Sequence, residues 1–386
     1  MTKFDEILNE VKKHLDSARQ NWLLGAGVSV ESNIPLMRPL TDRIKFLINE
    51  SDNDSNKKIY SFIESEVFEN SHVEHYLSHL CDLIAIAERS KSKCAKLGGE
   101  DITIDELKTI HRSIISCISA TIRYGYRNDN GESIGDANNP IVTINNHRSF
   151  VSSILKSRAN LEGRSDIKFF TINYDTLLED SLALEKRIVI DGFSGGAVGF
   201  WNPYLEFNKK ERLSDAVSVY KLHGSIDWRL DKEQGLVRAR YGTTYLSNPE
   251  DTLIYPQATK YVETQRDPFA FLFAEFRSSL ITAGDNLLII CGYSFGDEHI
   301  NLEIEAAMLH KSSDLTLIVF MKLEEPFCTI LKKWLEDKRI NNRVYLITNK
   351  GLFHSSSELI QHAEIAELNW WKFSELPKFI LTGEAL

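Results

Sequence analysis

Short apolar runs, most of them stopped by a glycine or a polar residue, recur through this chain: Trp22-Leu23-Leu24, Ile167–Thr171, Arg187–Ile190, Ser218–Leu222, Leu253–Tyr255, Leu287–Cys291, Leu315–Phe320 and Val344–Ile347. A strand with one face in water alternates apolar and polar residues, whereas a strand covered on both faces is apolar throughout. Helical patterns at Glu298–His310 and Pro326–Lys338 separate the last three runs. Strand-helix-strand alternation of this kind predicts an α/β fold: a doubly wound, mostly parallel, Rossmann-like sheet with helices on both faces.

The runs are not evenly spread. Phe4–Arg19 has helical spacing, Trp22–Leu24 feeds Gly25, and Pro39–Ile48 reads as the next helix. Tyr60–Glu88 and Ile104–Tyr124 are also helical in period, with few strand-like runs between residues 49 and 160. The expected organisation is a sheet domain from residues 1–48 and 161–350, a helical insertion at 49–160 and a helical tail at 351–386. Asn128–Pro140 is polar and turn-rich, a surface loop rather than a lid.

Charge narrows the partners. Lys plus Arg number 45 against 55 Asp plus Glu, a net charge of −10, which argues against a protein whose surface grips duplex nucleic acid. Arg89–Lys96 is the most basic stretch and reads as a solvated loop. No apolar stretch is long enough to span a bilayer, and Met1–Gln20 lacks the apolar core of a signal peptide, so a cytoplasmic location is expected. Five cysteines, never closer than 13 positions, suggest neither a disulfide framework nor a zinc ribbon.

Chemistry concentrates where the runs stop. Gly25-Ala26-Gly27 permits close backbone approach to a pyrophosphate at a helix start, and Ser29 adds a hydroxyl; a tight turn without a ligand explains a lone Gly-x-Gly equally well. Arg38 can neutralise phosphate, or can be a surface ion-pair residue. In Thr171-Ile172-Asn173-Tyr174-Asp175, Asn173 carries a donor and an acceptor suited to ribose hydroxyls or a carboxamide. Asp175 either accepts from an amide or caps the helix near Thr176. His223, between an apolar run and Gly224, can present an imidazole as general base, though alone it would more often be structural. Gly292 ends another run, followed by Ser294 and by Asp297, a natural N-cap for the helix at Glu298.

Taken in order, GAGVSVESNIPLMR, TINYD, KLHGS and GYSFGD resemble the NAD-binding domain of the sirtuins, over roughly residues 15–320 outside the helical insertion. The resemblance implies cleavage of the nicotinamide–ribose bond of NAD. It assigns Gly25, Ala26, Gly27, Ser29 and Arg38 to the dinucleotide loop and Asn173 and Asp175 to the ribose and nicotinamide pocket. His223 would be the base, Gly292 and Ser294 the adenosine-ribose turn, and Asp297 lies in the same cofactor-binding segment. Asn173 and His223 are the expected catalytic pair.

The departures redirect the chemistry. Deacylating sirtuins carry paired zinc cysteines after the catalytic histidine; between His223 and Asp297 this chain has only Cys291, so no zinc is expected. Ile172 and Tyr174 replace the glutamine and isoleucine of the family's TQNID, and Leu36 and Met37 the aspartate and phenylalanine of IPDFR. GYSFGDEHIN is closer to the sirtuin-like proteins of bacterial antiphage defence, which hydrolyse NAD outright. The expectation is a NAD glycohydrolase acting as an NAD-depleting effector, a homo-oligomer, with a HerA-type ATPase as the partner such relatives imply. An NAD-dependent protein deacylase and a non-catalytic nucleotide- or partner-binding module are the alternatives. His72, His75 and His79 can share a helical face, but read as solvated rather than metal-binding, and Trp370-Trp371 as a core contact or an interface anchor.

Overall fold

The computed structural model describes residues 2–17, 19–128, 131–158, 166–209, 213, 215–231, 233, 235–240, 249–254, 267–282 and 284–384. An eight-stranded sheet forms its centre, built from β1 (Arg19–Leu24), β2 (Asp166–Thr171), β3 (Ile188–Ile190), β4 (Ala216–Lys221), β5 (Asn286–Cys291), β6 (Leu315–Met321), β7 (Val344–Thr348) and β8 (Gly351–His354). Their spatial order is β8-β7-β6-β5-β1-β2-β4-β3, with every pairing parallel except β7 with β8. The chain winds outwards from β1 through β2 to β4, then returns to the other side of β1 as β5. The sheet is therefore doubly wound about β1, as expected.

Both faces are covered, which is why the strands are apolar throughout. Leu23, Phe170, Leu288, Ile290, Leu317 and Val319 face the helices Phe269–Leu280, Glu298–Leu309 and Thr329–Glu336. Their sequence neighbours Trp22, Leu24, Phe169, Ile289, Ile318 and Phe320 face the helices Lys3–Leu15, Asn145–Ser157, Leu177–Leu184 and Leu376–Thr382. Trp22 meets Phe150 edge to face at 5.1 Å. Burying each such side chain contributes about 1.5–3 kcal/mol.

Between β1 and β2 stands a helical module with a core of its own. The helices Met37–Glu50, Asp54–Glu66, Val73–Arg89 and Ile104–Tyr124 enclose Leu40, Ile44, Ile63, Leu77, Leu80, Ile110 and Ile114. Tyr174, Leu177 and Ile226, from the sheet side, join that core. The single helical stretch expected at Tyr60–Glu88 is two helices, with the break at Val67–His72. Asn128–Pro140 contributes Ser133–Ile134, which pairs antiparallel with Tyr126–Arg127 just before it, and Tyr126 N–H donates to the Asn33 carbonyl at 2.9 Å, tying the pair to the turn after β1.

Two features depart from expectation. Leu253–Tyr255 is not a strand of the parallel sheet: Pro249–Ile254 pairs antiparallel with Gly224–Asp231 in a second, five-stranded sheet, and Tyr255 lies outside the described residues. That sheet also holds Phe193–Gly195, Val198–Trp201 and Gly235–Ala239. The C-terminal segment is not purely helical. It opens with β8, and its described helix is Leu376–Thr382. Trp370 is core, its indole N–H donating to the Thr348 carbonyl at 2.8 Å.

Among the described residues no helix is long and apolar enough to cross a membrane.

Candidate active site

Register places the four motif turns level with one another. Cys291 pairs with Leu24, Leu24 with Thr171, and Thr171 with Lys221, a single row across the four central strands β5, β1, β2 and β4. The next residue of each strand opens a motif turn: Gly292, Gly25, Ile172 and Leu222. The ladder runs one step beyond the row, through Gly25 N–H to the Cys291 carbonyl (2.9 Å), Ile172 N–H to Leu24 (3.2 Å) and Leu222 N–H to Thr171 (2.8 Å). The turns thus gather at the C-terminal edge of the sheet where its winding reverses, the crevice in which open α/β sheets bind ligands.

The glycines are explained by each other. A Cβ on Gly25 would lie 2.4 Å from the Gly292 carbonyl oxygen, and one on Gly27 would lie 2.7 Å from the Gly292 Cα. Gly292 itself has φ +64°, and a Cβ there would lie 2.4 Å from Val28 N. Gly27 N–H donates to the Gly292 carbonyl at 2.8 Å. The amides of Gly25 and Gly27 are therefore engaged inside the protein. Ala26 is exposed at the start of the short 3-10 helix Ala26–Ser32.

Asn173 stands in the crevice beside this turn. Its Nδ2 donates to the Gly25 carbonyl at 3.0 Å and to Ser29 Oγ at 3.1 Å, while Thr171 Oγ1 accepts from the Asn173 backbone N–H at 3.0 Å. Asn173 Oδ1 is buried with no hydrogen-bond partner. Buried acceptors are rarely left so, and each calls for an explanation. Asp175 uses both carboxylate oxygens internally, accepting from Ser29 Oγ at 2.8 Å and from Leu177 N–H at 3.0 Å. The helix-start reading of Asp175 is thus seen directly, with a brace on Ser29 added.

His223 and Asp297 meet across the site. Nε2 of His223 lies 2.9 Å from Oδ2 of Asp297, and the two residues are 2% and 1% exposed. Their strands β4 and β5 are not neighbours, so the two turns reach across the width of β1 and β2. Asp297 is also the N-cap of Glu298–Leu309, its Oδ1 accepting from His299 N–H at 3.0 Å and Ile300 N–H at 3.4 Å. The cap was legible in sequence; the contact with His223, between residues 74 positions apart, was not.

Three supports behind the site also escaped sequence reading. Lys221, fully buried, donates to the Asp175 carbonyl and pairs with buried Glu179 at 3.2 Å, bracing the Asn173–Asp175 turn from beneath. Tyr174 Oη donates to Glu74 Oε1 at 2.6 Å, which ties the same turn to the helical module. Burial, and then the Glu74 carboxylate, hold the Tyr174 phenol well above its usual range, so it remains a donor. His147, 1% exposed, approaches Ser32 Oγ at 3.4 Å, and burial pushes its imidazole below the usual range.

Other expected residues lie apart from this group. Arg38 is exposed, and its guanidinium donates to Asn70 Oδ1 at 3.0 Å rather than to the Gly25–Ser29 turn. Ser294 is exposed, its hydroxyl accepting from Gly296 N–H at 3.4 Å. His72 and His75 form the N-terminal box of Val73–Arg89, and His79 contacts Glu66 at 3.3 Å. Among the described residues no group of three or more His, Cys, Asp or Glu side chains is placed to hold a metal.

No curated protein matches the chain. Residues 167–342, the stretch from β2 to the threshold of β7 that carries Asn173, His223 and Asp297, match the SIR2-like domain family.

Proposed function

We propose that this chain is a NAD glycohydrolase, converting NAD and water to nicotinamide and ADP-ribose. The observation that carries the reading is the level row of turns, which brings Asn173 with its orphaned buried Oδ1 and the His223–Asp297 pair to one edge of a SIR2-like sheet. Residues suited to the ribose ring and to proton transfer then converge where the fold binds ligands.

In the reaction the bond between the nicotinamide nitrogen and ribose C1′ breaks, and its electron pair leaves with nicotinamide. The oxygen of water bonds to C1′, and one proton is released. The oxocarbenium-like ribose is stabilised by dipoles fixed in advance rather than by a covalent nucleophile. Asn173 is such a dipole, since its Nδ2 is locked onto Gly25 and Ser29, leaving Oδ1 to accept from a ribose hydroxyl or the attacking water. His223 takes the proton.

The sequence supports hydrolysis over deacylation, because deacylating sirtuins carry paired zinc cysteines after the catalytic histidine and this chain has only Cys291 between His223 and Asp297. In the cell the enzyme would act as an NAD-depleting effector of antiphage defence, held in check within a homo-oligomer or by a HerA-type ATPase. The decisive assay is nicotinamide release from NAD by the purified chain, alone and with that ATPase. Asn173→Ala and His223→Ala should each lower turnover by about 10² to 10⁴. Undiminished cleavage in either variant would sink the proposal.

A further inference from the structure

We infer that Asp297 is the positioning residue of His223. Its carboxylate faces Nε2, so the neutral imidazole carries its hydrogen there and Nδ1 becomes the atom that accepts a proton. The inference rests on the hydrolase reading above and gives that site a second, charged member.

The carboxylate does more than a helix cap requires. Capping engages one oxygen, and Ser, Thr or Asn would serve as well. Here Oδ1 takes both cap N–H groups, and Oδ2 is directed at a histidine 2% exposed. The two N–H donors and the helix N-terminus favour the anionic form. In a site this dry a carboxylate's orientation of an imidazole is scarcely screened. The approach is a 2.9 Å contact between Nε2 and Oδ2 rather than a straight hydrogen bond. Catalytic pairs often straighten only in the Michaelis complex.

The turn that delivers Asp297 is rigid. Tyr293 Oη lies 2.9 Å from the Asp297 carbonyl and 3.0 Å from Asn301 Oδ1, and Asn301 Nδ2 donates to the Phe295 carbonyl at 2.7 Å. Phe295 holds φ +60°, a region costly for a non-glycine residue and kept only where surroundings over-determine it. Its ring supplies that constraint, packed against Tyr293 at 4.8 Å and Trp334 at 6.0 Å. A plain N-cap needs none of this clamping; a carboxylate that must meet a partner from a non-adjacent strand does.

Asp297→Asn separates the two roles. The asparagine carbonyl keeps the cap, whereas its amide would donate to Nε2 and move the ring hydrogen to Nδ1. The full-length variant should lose about 10² to 10⁴ in kcat for NAD hydrolysis, with KM for NAD unchanged and Tm held within about 2 °C of wild type. The ¹⁵N spectrum of histidine-labelled protein should show the Nε2–H tautomer of His223 in wild type and the Nδ1–H tautomer in Asp297→Asn. Wild-type kcat in Asp297→Asn, or an Nδ1–H tautomer in the wild-type chain, overturns the inference. A wild-type chain that releases no nicotinamide overturns the hydrolase reading instead, and the tautomer spectrum still decides the pairing.

Discussion

The two large sheets of this molecule are held together by different physics. On the eight-stranded sheet, adjacent residues of β1, β5 and β6 alternate between two apolar layers. The five-stranded sheet mixes an aromatic cluster of Phe193, Trp201 and Trp228 with charges turned inwards. Asp191 pairs with Arg238 and Asp227 with Arg240 at 3.3 Å, and where the two sheets join Lys221 of β4 pairs with Glu179 of the helix Leu177–Leu184 at 3.2 Å, each carboxylate almost completely buried. Apolar layers tolerate approximate packing. Buried ion pairs demand a partner in place, because either charge left alone is far worse than no charge at all.

That difference is sharpest at Lys221, the last residue of β4, where the two sheets join. Lys221→Ala should cost about 3–5 kcal/mol in urea unfolding, since it leaves the Glu179 carboxylate buried without its cation. Replacing both, as Lys221→Met with Glu179→Leu, should recover most of the loss. If the double replacement is as unstable as the single one, the pair is not what holds this junction.

Proton uptake gives a smaller and more specific contrast. Burial holds the Glu179 carboxyl above its usual range, with Lys221 and then Arg240 pulling the other way, and burial does the same to Asp191 against Arg238. The folded chain therefore retains protons that the unfolded chain releases. This contribution is fully present below the ordinary glutamate value of 4.5 and is lost as pH rises through the folded value. One such proton gives a slope of at most about 1.4 kcal/mol per pH unit. Glu179→Gln should flatten the stability curve just above pH 4.5, whereas Ile289→Ala, in the apolar layer, should lower the curve without changing that slope. Equal slopes in wild type and Glu179→Gln would erase the distinction between the charged junction and the apolar layer.

A last contrast concerns the link to the helical module. Tyr174→Phe removes the donor to Glu74 and should cost about 1–3 kcal/mol, the penalty for a buried acceptor stripped of its partner. Unfolding that is unchanged in Tyr174→Phe would mean that the module is held by its apolar contacts with Tyr174, Leu177 and Ile226 alone.

The same physics decided what could be read in advance. A strand buried on both faces writes itself as an apolar run, so β1, β2, β4, β5, β6 and β7 were legible, and with them the positions of the four turns. Gly224–Asp231 (GSIDWRLD) was not legible, because its Asp227 and Asp231 are buried by virtue of neighbours that no local pattern names. Phe193–Gly195 and Val198–Trp201 are too short and glycine-rich to carry a period. Asn145–Ser157 opens on Asn-Asn-His-Arg and shows its apolar face only at Phe150, Val151 and Ile154. At the site, residue types and their places after strands were readable. Which atoms meet was not: Oδ2 of Asp297 on His223 and Lys221 under Asp175 are products of strand order.

The level row Cys291–Leu24–Thr171–Lys221 sets where the four turns begin whatever the length of the connections that follow them, and is intolerant of change within the strands. Whole helices stand between Leu24 and Asp166 without disturbing the alignment of Gly25 with Ile172. A single residue deleted inside Ile167–Thr171 would draw Asn173 back by about 3.3 Å and exchange the faces of Phe169 and Phe170. Spliced domains and altered lengths are thus admissible at the connections, and the strands themselves act as the ruler against which the chemistry is set.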